Sequence, residues 1–137
     1  MKNPSERAKS FIATREHHLS EIAEDYVEII SDLLLQKGKA RVCDLAKFLG
    51  ISHVTVIRTI ERLKKQELVN TTKDHPITLT AKGSELALFC KQRHLFLLKY
   101  LISLGVPTHI AEIDAEGMEH HVSPETLQAL KRNFLNS

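Results

Sequence analysis

Three separated stretches of this chain carry carboxylates and imidazoles at spacings that suit a metal ion. Asp25 and Glu28 stand at i, i+3, so a helix presents both on one face. Glu116, Glu119 and His120 stand at i, i+3, i+4, and on a helix they converge on one side. His94 lies inside an otherwise apolar stretch. Oxygen donors joined by one or two imidazoles suit Mn²⁺ or Fe²⁺. Cys43 and Cys90 stand far apart with no CxxC pair, which argues against both a thiolate zinc site and a disulfide framework. Four carboxylates and two imidazoles are donors enough for two cations, with carboxylates bridging. Each piece alone has a plainer reading: Asp25 and Glu28 as a solvated turn, His94 as a core histidine. His121 follows His120 at about 100° round a helix, outside the converging side.

A different chemistry is written between Lys39 and Lys65, where Lys and Arg outnumber Asp and Glu seven to two although the whole chain carries a net charge of only +2. From Pro107 to Gln128 the bias reverses, with five carboxylates and no Lys or Arg. One region suits a polyanion and the other a cation. Within the basic region Thr55, Arg58, Thr59 and Arg62 fall at i, i+3, i+4, i+7, opposite an apolar stripe of Val56, Ile57, Ile60 and Leu63. That is the layout of a helix reading a major groove, with His53 in its first turn. Arg58 could pair with a guanine edge, and Thr55 could meet a thymine methyl or a phosphate. Lys39, Arg41, Lys64, Lys65 and Lys73 are candidates for phosphate contacts, where affinity comes from counterion release.

The elements that must position these groups follow from local signals. Ser20 can cap a helix to about Lys37, with Ile22, Tyr26, Ile29, Ile30, Leu33 and Leu34 at helical spacing and Gly38 at its end. A short helix from Arg41 to Leu49, a turn at Gly50-Ile51 and a third helix capped by Ser52 and running to about Lys65 come next. Val69–Thr72 and Ile77–Thr80 alternate like the arms of a hairpin. A long helix follows to about Ser103, apolar on most sides, which invites a homodimer interface. Pro107 opens a helix to about Val122, and Ser123-Pro124 starts a last one ending near Leu135. The expected fold is mainly α: a winged helix-turn-helix domain plus a helical dimerisation and metal-binding domain. The expected division is a flexible polar arm over 1–18, a DNA-binding domain over 19–82 and the helical domain over 83–137.

These motifs, taken together, resemble those of the manganese-responsive regulators of the diphtheria toxin repressor family. Asp114-Ala-Glu-Gly-Met-Glu-His-His121 is similar to that group's ligand motif, Asp25-Tyr-Val-Glu28 to its first-helix ligand pair and Arg93-His94 to its long-helix histidine. Thr80-Ala81-Lys82-Gly83 resembles the segment that follows its wing. The resemblance runs from about Glu24 to Thr126 and implies six ligands: Asp25, Glu28, His94, Glu116, Glu119 and His120. A carboxylate at Asp25, where iron-type relatives are known for a softer sulfur ligand, leans toward Mn²⁺. His75-Pro76 departs from the Arg-Gly usual at the wing tip, and Pro removes a backbone donor there. The chain ends soon after its final helix, with no SH3-like third domain, so a smaller dimer interface than in longer relatives is expected.

The function implied is a Mn²⁺-dependent DNA-binding regulator, a repressor of manganese uptake genes, with two Mn²⁺ per protomer and with Fe²⁺, Co²⁺, Zn²⁺ or Cd²⁺ also able to bind in vitro. Its expected partners are a palindromic double-stranded operator and a second copy of itself, with no organic cofactor. No apolar run reaches membrane-spanning length and the N-terminus lacks a signal-peptide stretch, so a cytoplasmic protein is expected. Two alternatives stay open at this point. A binuclear metallohydrolase would share the ligands, but there is no nucleophile or base constellation beside them. A winged-helix regulator of the MarR kind would share the fold and bind no stoichiometric metal.

Overall fold

Gly50 and Ser52 set the sharp turn at the centre of the N-terminal half. Gly50 adopts φ 66°, ψ 36°, the left-handed conformation that a residue without Cβ takes cheaply, and its N–H closes the preceding helix on Ala46 O. Two residues later the Ser52 hydroxyl accepts from Thr55 N and starts the next helix. The structure, a computed structural model, describes residues 3–136 apart from the side chain of residue 17. Its order is α1 (Pro4–Lys37), α2 (Val42–Leu49), α3 (His53–Lys65), β1 (Val69–Asn70), β2 (Thr78–Leu79), α4 (Ala81–Ser103), α5 (Thr108–Met118), a 3₁₀ turn (Glu119–His121) and α6 (Pro124–Leu135).

The first helix departs from the sequence expectation. Ser20 lies inside α1, and the stretch read as an arm is helical from Pro4 onward. A capping box accounts for the start: Glu6 N donates to Asn3 Oδ1 at 2.9 Å, and Asn3 N donates to Glu6 Oε2 at 3.1 Å. Pro4 sits at the first helical position, where its missing N–H costs nothing. The signal was therefore in the sequence, as Asn3-Pro4-Ser5-Glu6.

The chain divides into two compact units: Ile22–Phe89, and the start of α1 together with the chain from Cys90 onward. The core of the first unit gathers Val27, Ile30 and Leu33 from α1, Leu45 from α2, Val56, Ile60 and Leu63 from α3, and Val69 and Ile77 from the hairpin. The hairpin itself is minimal. Val69 pairs with Leu79 and Asn70 with Thr78, while Ala40, before α2, bridges to Ile77. A two-stranded ribbon is marginal alone, so its buried residues and the Ile77 N to Ala40 O bond (2.8 Å) hold it to the helices.

The segment 80–83 locks the start of α4 onto the end of α3. Thr80 Oγ1 donates to Glu67 O at 2.6 Å and accepts from Gly83 N at 3.0 Å, and Lys82 Nζ donates to Gln66 O at 3.0 Å. A Cβ on Gly83 would stand 2.0 Å from Leu68 O, so only glycine permits this approach.

The second unit closes around Leu97 of α4, Ala115 of α5 and Leu127 of α6, with Phe96, Leu101, Met118 and Leu130 packed against them. Ser123 caps α6 by accepting from Thr126 N, with Pro124 in the first turn. Phe96 and Phe134 meet edge to face at 5.8 Å. Leu95 and Ile113 remain exposed on this unit, more apolar surface than its own helices cover. Among the described residues no helix is long and apolar enough to cross a membrane.

Candidate metal centre

His94 projects from α4 and meets one carboxylate in the last turn of α5 and another just after it. His94 Nδ1 lies 2.9 Å from Glu119 Oε2 and 3.7 Å from Glu116 Oε2. His120 Nε2 lies 3.3 Å from Glu119 Oε1. One donor atom each from His94, Glu116 and Glu119 fall within 4.8 Å of one another, as a shared cation requires. The structure thus brings together four of the six residues singled out in the sequence, all within the second unit. Asp25 and Glu28 lie on α1 in the other unit, one helical turn apart and half-buried.

One detail of the expected geometry is corrected. Glu119 and His120 are not on a continuous α-helix with Glu116; α5 ends at Met118 and they occupy the 3₁₀ turn. A 3₁₀ turn advances each residue by about 120°, so consecutive side chains diverge. Glu119 and His120 are turned inward and His121 outward. Glu119 is only 1% exposed, and that burial pushes its carboxyl above the ordinary value. The Glu116 charge pushes the same way, while His94 and His120 oppose it. A divalent cation in contact with these donors answers the same electrostatic demand, so the donor set fits one.

Arg93 is the residue that sequence reasoning left without a role. It is buried, with Nη2 at 3.5 Å from His120 Nδ1 and donating to Cys90 Sγ at 3.7 Å. Its signal was an arginine inside an apolar helix, a placement that needs partners.

The basic face lies in the other unit. His53, Thr55 and Arg58 are exposed on α3 and Arg62 is half-buried. Thr59 is a correction: it is 8% exposed, and its hydroxyl donates to Thr55 O at 3.0 Å. The buried stripe is Val56, Thr59, Ile60 and Leu63, and Ile57, expected inside, is exposed. A threonine whose hydroxyl is satisfied by its own helix can offer its methyl to the core. Lys39, Arg41, Lys64, Lys65 and Lys73 are all exposed. Arg41, Cys43 and Ile57 line one groove with Thr71–Ile77 of the wing, whose turn is closed by His75 N donating to Thr72 O and contains Asp74 at φ 64°.

A winged helix-turn-helix with a basic outer face in one unit, and a carboxylate–imidazole cluster built around the buried Glu119 and His120 in the other, define a metal-responsive DNA-binding regulator. Comparison with known proteins agrees with both halves. The family model "Iron dependent repressor, N-terminal DNA binding domain" matches residues 18–76, and "Iron dependent repressor, metal binding and dimerisation domain" matches residues 80–136. The chain belongs to the iron-dependent repressor family and is a metal-dependent, DNA-binding regulator of transcription.

Among its relatives is the transcriptional regulator MntR of Escherichia coli O157:H7, 43% identical over 129 residues, or 94% of this chain and 83% of that protein. The regulator MntR of Listeria monocytogenes serotype 4a is 39% identical over 101 residues, 73% of this chain and 70% of that one. A solved structure described as a manganese-dependent transcriptional repressor in complex with manganese superposes with a TM-score of 0.70 at 29% identity, covering 81% of this chain. The chain spans about half the length of that solved structure (51%).

Proposed function

We propose that this chain is a manganese-responsive repressor of metal-uptake genes, that Asp25, Glu28, His94, Glu116, Glu119 and His120 are its metal ligands, and that it acts in the cytoplasm as a homodimer on a palindromic operator. The observation that carries the reading is the cluster of His94, Glu116, Glu119 and His120, two carboxylates and two imidazoles at contact distance with Glu119 wholly buried. Asp25 and Glu28 join them in the proposal because they are carboxylates one turn apart with the resemblance described above. The manganese-dependent relatives support the choice of metal.

Mostly oxygen donors with no thiolate favour Mn²⁺, and two cations per protomer match six ligands. Fe²⁺, Co²⁺, Zn²⁺ and Cd²⁺ would also bind in vitro, because affinity rises along the first-row series and selectivity must come from geometry and supply. When bound, a divalent cation supplies the positive charge that these carboxylates lack. The chain's own part is to gather the carboxylates. Asp25 and Glu28 precede the helix-turn-helix in the chain, and the other four ligands follow it. Ligating all six, and neutralising the four carboxylates among them, favours the arrangement in which they are close and disfavours those in which they are apart. Two copies related by a twofold then present two α3 helices to half-sites one DNA turn apart, and the coupling between metal and DNA is reciprocal.

On α3, Arg58 and Thr55 face base edges in this reading, with His53 and Arg62 beside them. Lys39, Arg41, Lys64, Lys65 and Lys73 hold phosphates. Thr59, being buried, supports the helix from within. Exposed Leu95 and Ile113 favour a second copy as the cover for the helical unit.

The test is operator binding by fluorescence anisotropy over a Mn²⁺ series, with a chelator control. The expected result is a DNA affinity that rises at least tenfold with Mn²⁺ and returns on chelation. An affinity indifferent to Mn²⁺, with Mn²⁺ shown to be bound, would overturn the proposal.

A further inference from the structure

The same 3₁₀ turn that buries Glu119 and His120 sends His121 out toward the middle of α1. There His121 Nε2 stands 3.5 Å from Glu21 Oε2, and His18 Nδ1 stands 3.9 Å from that same oxygen. His18 and Glu21 are i, i+3 on α1 and so share a face, while His121 arrives from an element a hundred residues later in the chain. Two imidazoles from independent elements therefore bracket one carboxylate. With Thr14, Arg15 and Leu19, these three side chains line one cavity of the second unit. None of the three belongs to the ligand set proposed above.

We propose that His18, Glu21 and His121 form an auxiliary surface site for a borderline divalent cation such as Zn²⁺ or Co²⁺. Donor atoms sharing such an ion through bonds of about 2.0–2.2 Å sit roughly 3–4 Å apart; both distances to Glu21 fall in that range, while the two imidazoles do not yet stand within 4.8 Å of each other and a ring must turn to complete the set. His18 is 70% exposed, so its ring has room to turn toward the ion. Two imidazoles and one carboxylate make a set richer in nitrogen than the buried cluster. Open to solvent and short of oxygen donors, it discriminates strongly along the divalent series and binds Mn²⁺ weakly. Arg15 on the cavity wall opposes the ion's charge and keeps the site weaker than the buried one.

The experiment is metal stoichiometry at neutral pH on the full chain, by isothermal titration with Zn²⁺ and separately with Mn²⁺. Wild type is expected to take up one more equivalent of Zn²⁺ than of Mn²⁺. His121→Ala and His18→Ala should each lose that extra equivalent and keep the Mn²⁺ stoichiometry. Glu119→Gln should impair the buried site and keep the extra equivalent, which separates this proposal from the reading of the main site. Imidazole ¹⁵N spectra of the wild type provide a second readout that needs no variant: Zn²⁺ should shift the ring signals of His18 and His121. Equal Zn²⁺ uptake by wild type and both histidine variants, or ring signals of His18 and His121 that stay put at saturating Zn²⁺, would overturn the proposal.

Discussion

Glu119 is the residue at which folding and metal binding oppose each other. Its carboxyl is buried between two imidazoles and beside Glu116, and burial dominates, raising its pKa. The folded metal-free chain therefore holds a proton on Glu119 more tightly than the unfolded chain does. Ionisation then costs stability: the metal-free fold is most favoured, as far as this group counts, below the ordinary glutamate value. It loses stability as pH rises from there through the raised value. Glu119→Gln should accordingly make the metal-free protein more stable at neutral pH and little different in acid, measured by thermal melts across pH. The same variant should lower Mn²⁺ affinity by more than the roughly 10–100-fold typical of changes to groups that only support a ligand. A metal-free melt at neutral pH that falls in the variant would show that the burial argument has the wrong sign. On α3, Arg58→Ala should cost about 1–3 kcal/mol of operator binding with metal affinity unchanged. Equal losses on operator and random DNA would reduce Arg58 to a phosphate contact.

At the scale of elements, the joint at 80–83 is where a small change should be felt most. Gly83 lets the first turn of α4 approach Leu68 O, and a methyl there has no room because the obstacle is backbone. Gly83→Ala should destabilise the fold by about 1–3 kcal/mol or more, read as a lower urea midpoint at unchanged slope. Helix propensity alone argues the other way, since alanine is favoured over glycine inside a helix. A stabilised Gly83→Ala would show that the two helices can separate at no cost. The wing belongs to this scale as well. Its two pairs of residues cannot stand by themselves, so Ile77, buried and bonded to Ala40, anchors it while Lys73, Asp74 and His75 remain exposed at its turn.

For the whole molecule, the exposed apolar surface of the helical unit carries the proposal of a dimer. Leu95 is 46% exposed on α4, and a charge there should be tolerated by the isolated chain and rejected by an apolar interface. Leu95→Glu should keep its helical circular dichroism and shift sedimentation from dimer toward monomer. Its operator affinity should fall, because two recognition helices are no longer held at one spacing. A variant that remains dimeric would move the interface elsewhere on the molecule.

Much was determined by the sequence alone, wherever the physics is local. Ser52 and Ser123 cap helices because a hydroxyl reaches an N–H three residues on, and Gly50 and Gly38 close them because their backbone can turn left-handed. Asn3-Pro4-Ser5-Glu6 was equally local, and its capping box starts α1 sixteen residues before Ser20. Periodicity also separated a basic helix from a carboxylate-rich one. It could not choose between neighbouring faces: Thr59 and Ile57 are two positions apart, and only the surrounding core decided that the threonine goes in and the isoleucine out. The carboxylates at the end of α5 and in the turn after it show the same limit. Their spacing announced a cluster, but the change from α-helix to 3₁₀ turn set the directions of Glu119, His120 and His121. Contacts with α4, more than twenty residues earlier in the chain, brought His94 to Glu119 and Arg93 to His120. Donor chemistry is a property of residue types and can be read along the chain. Burial and direction depend on which distant elements pack together, and those only the tertiary structure supplies.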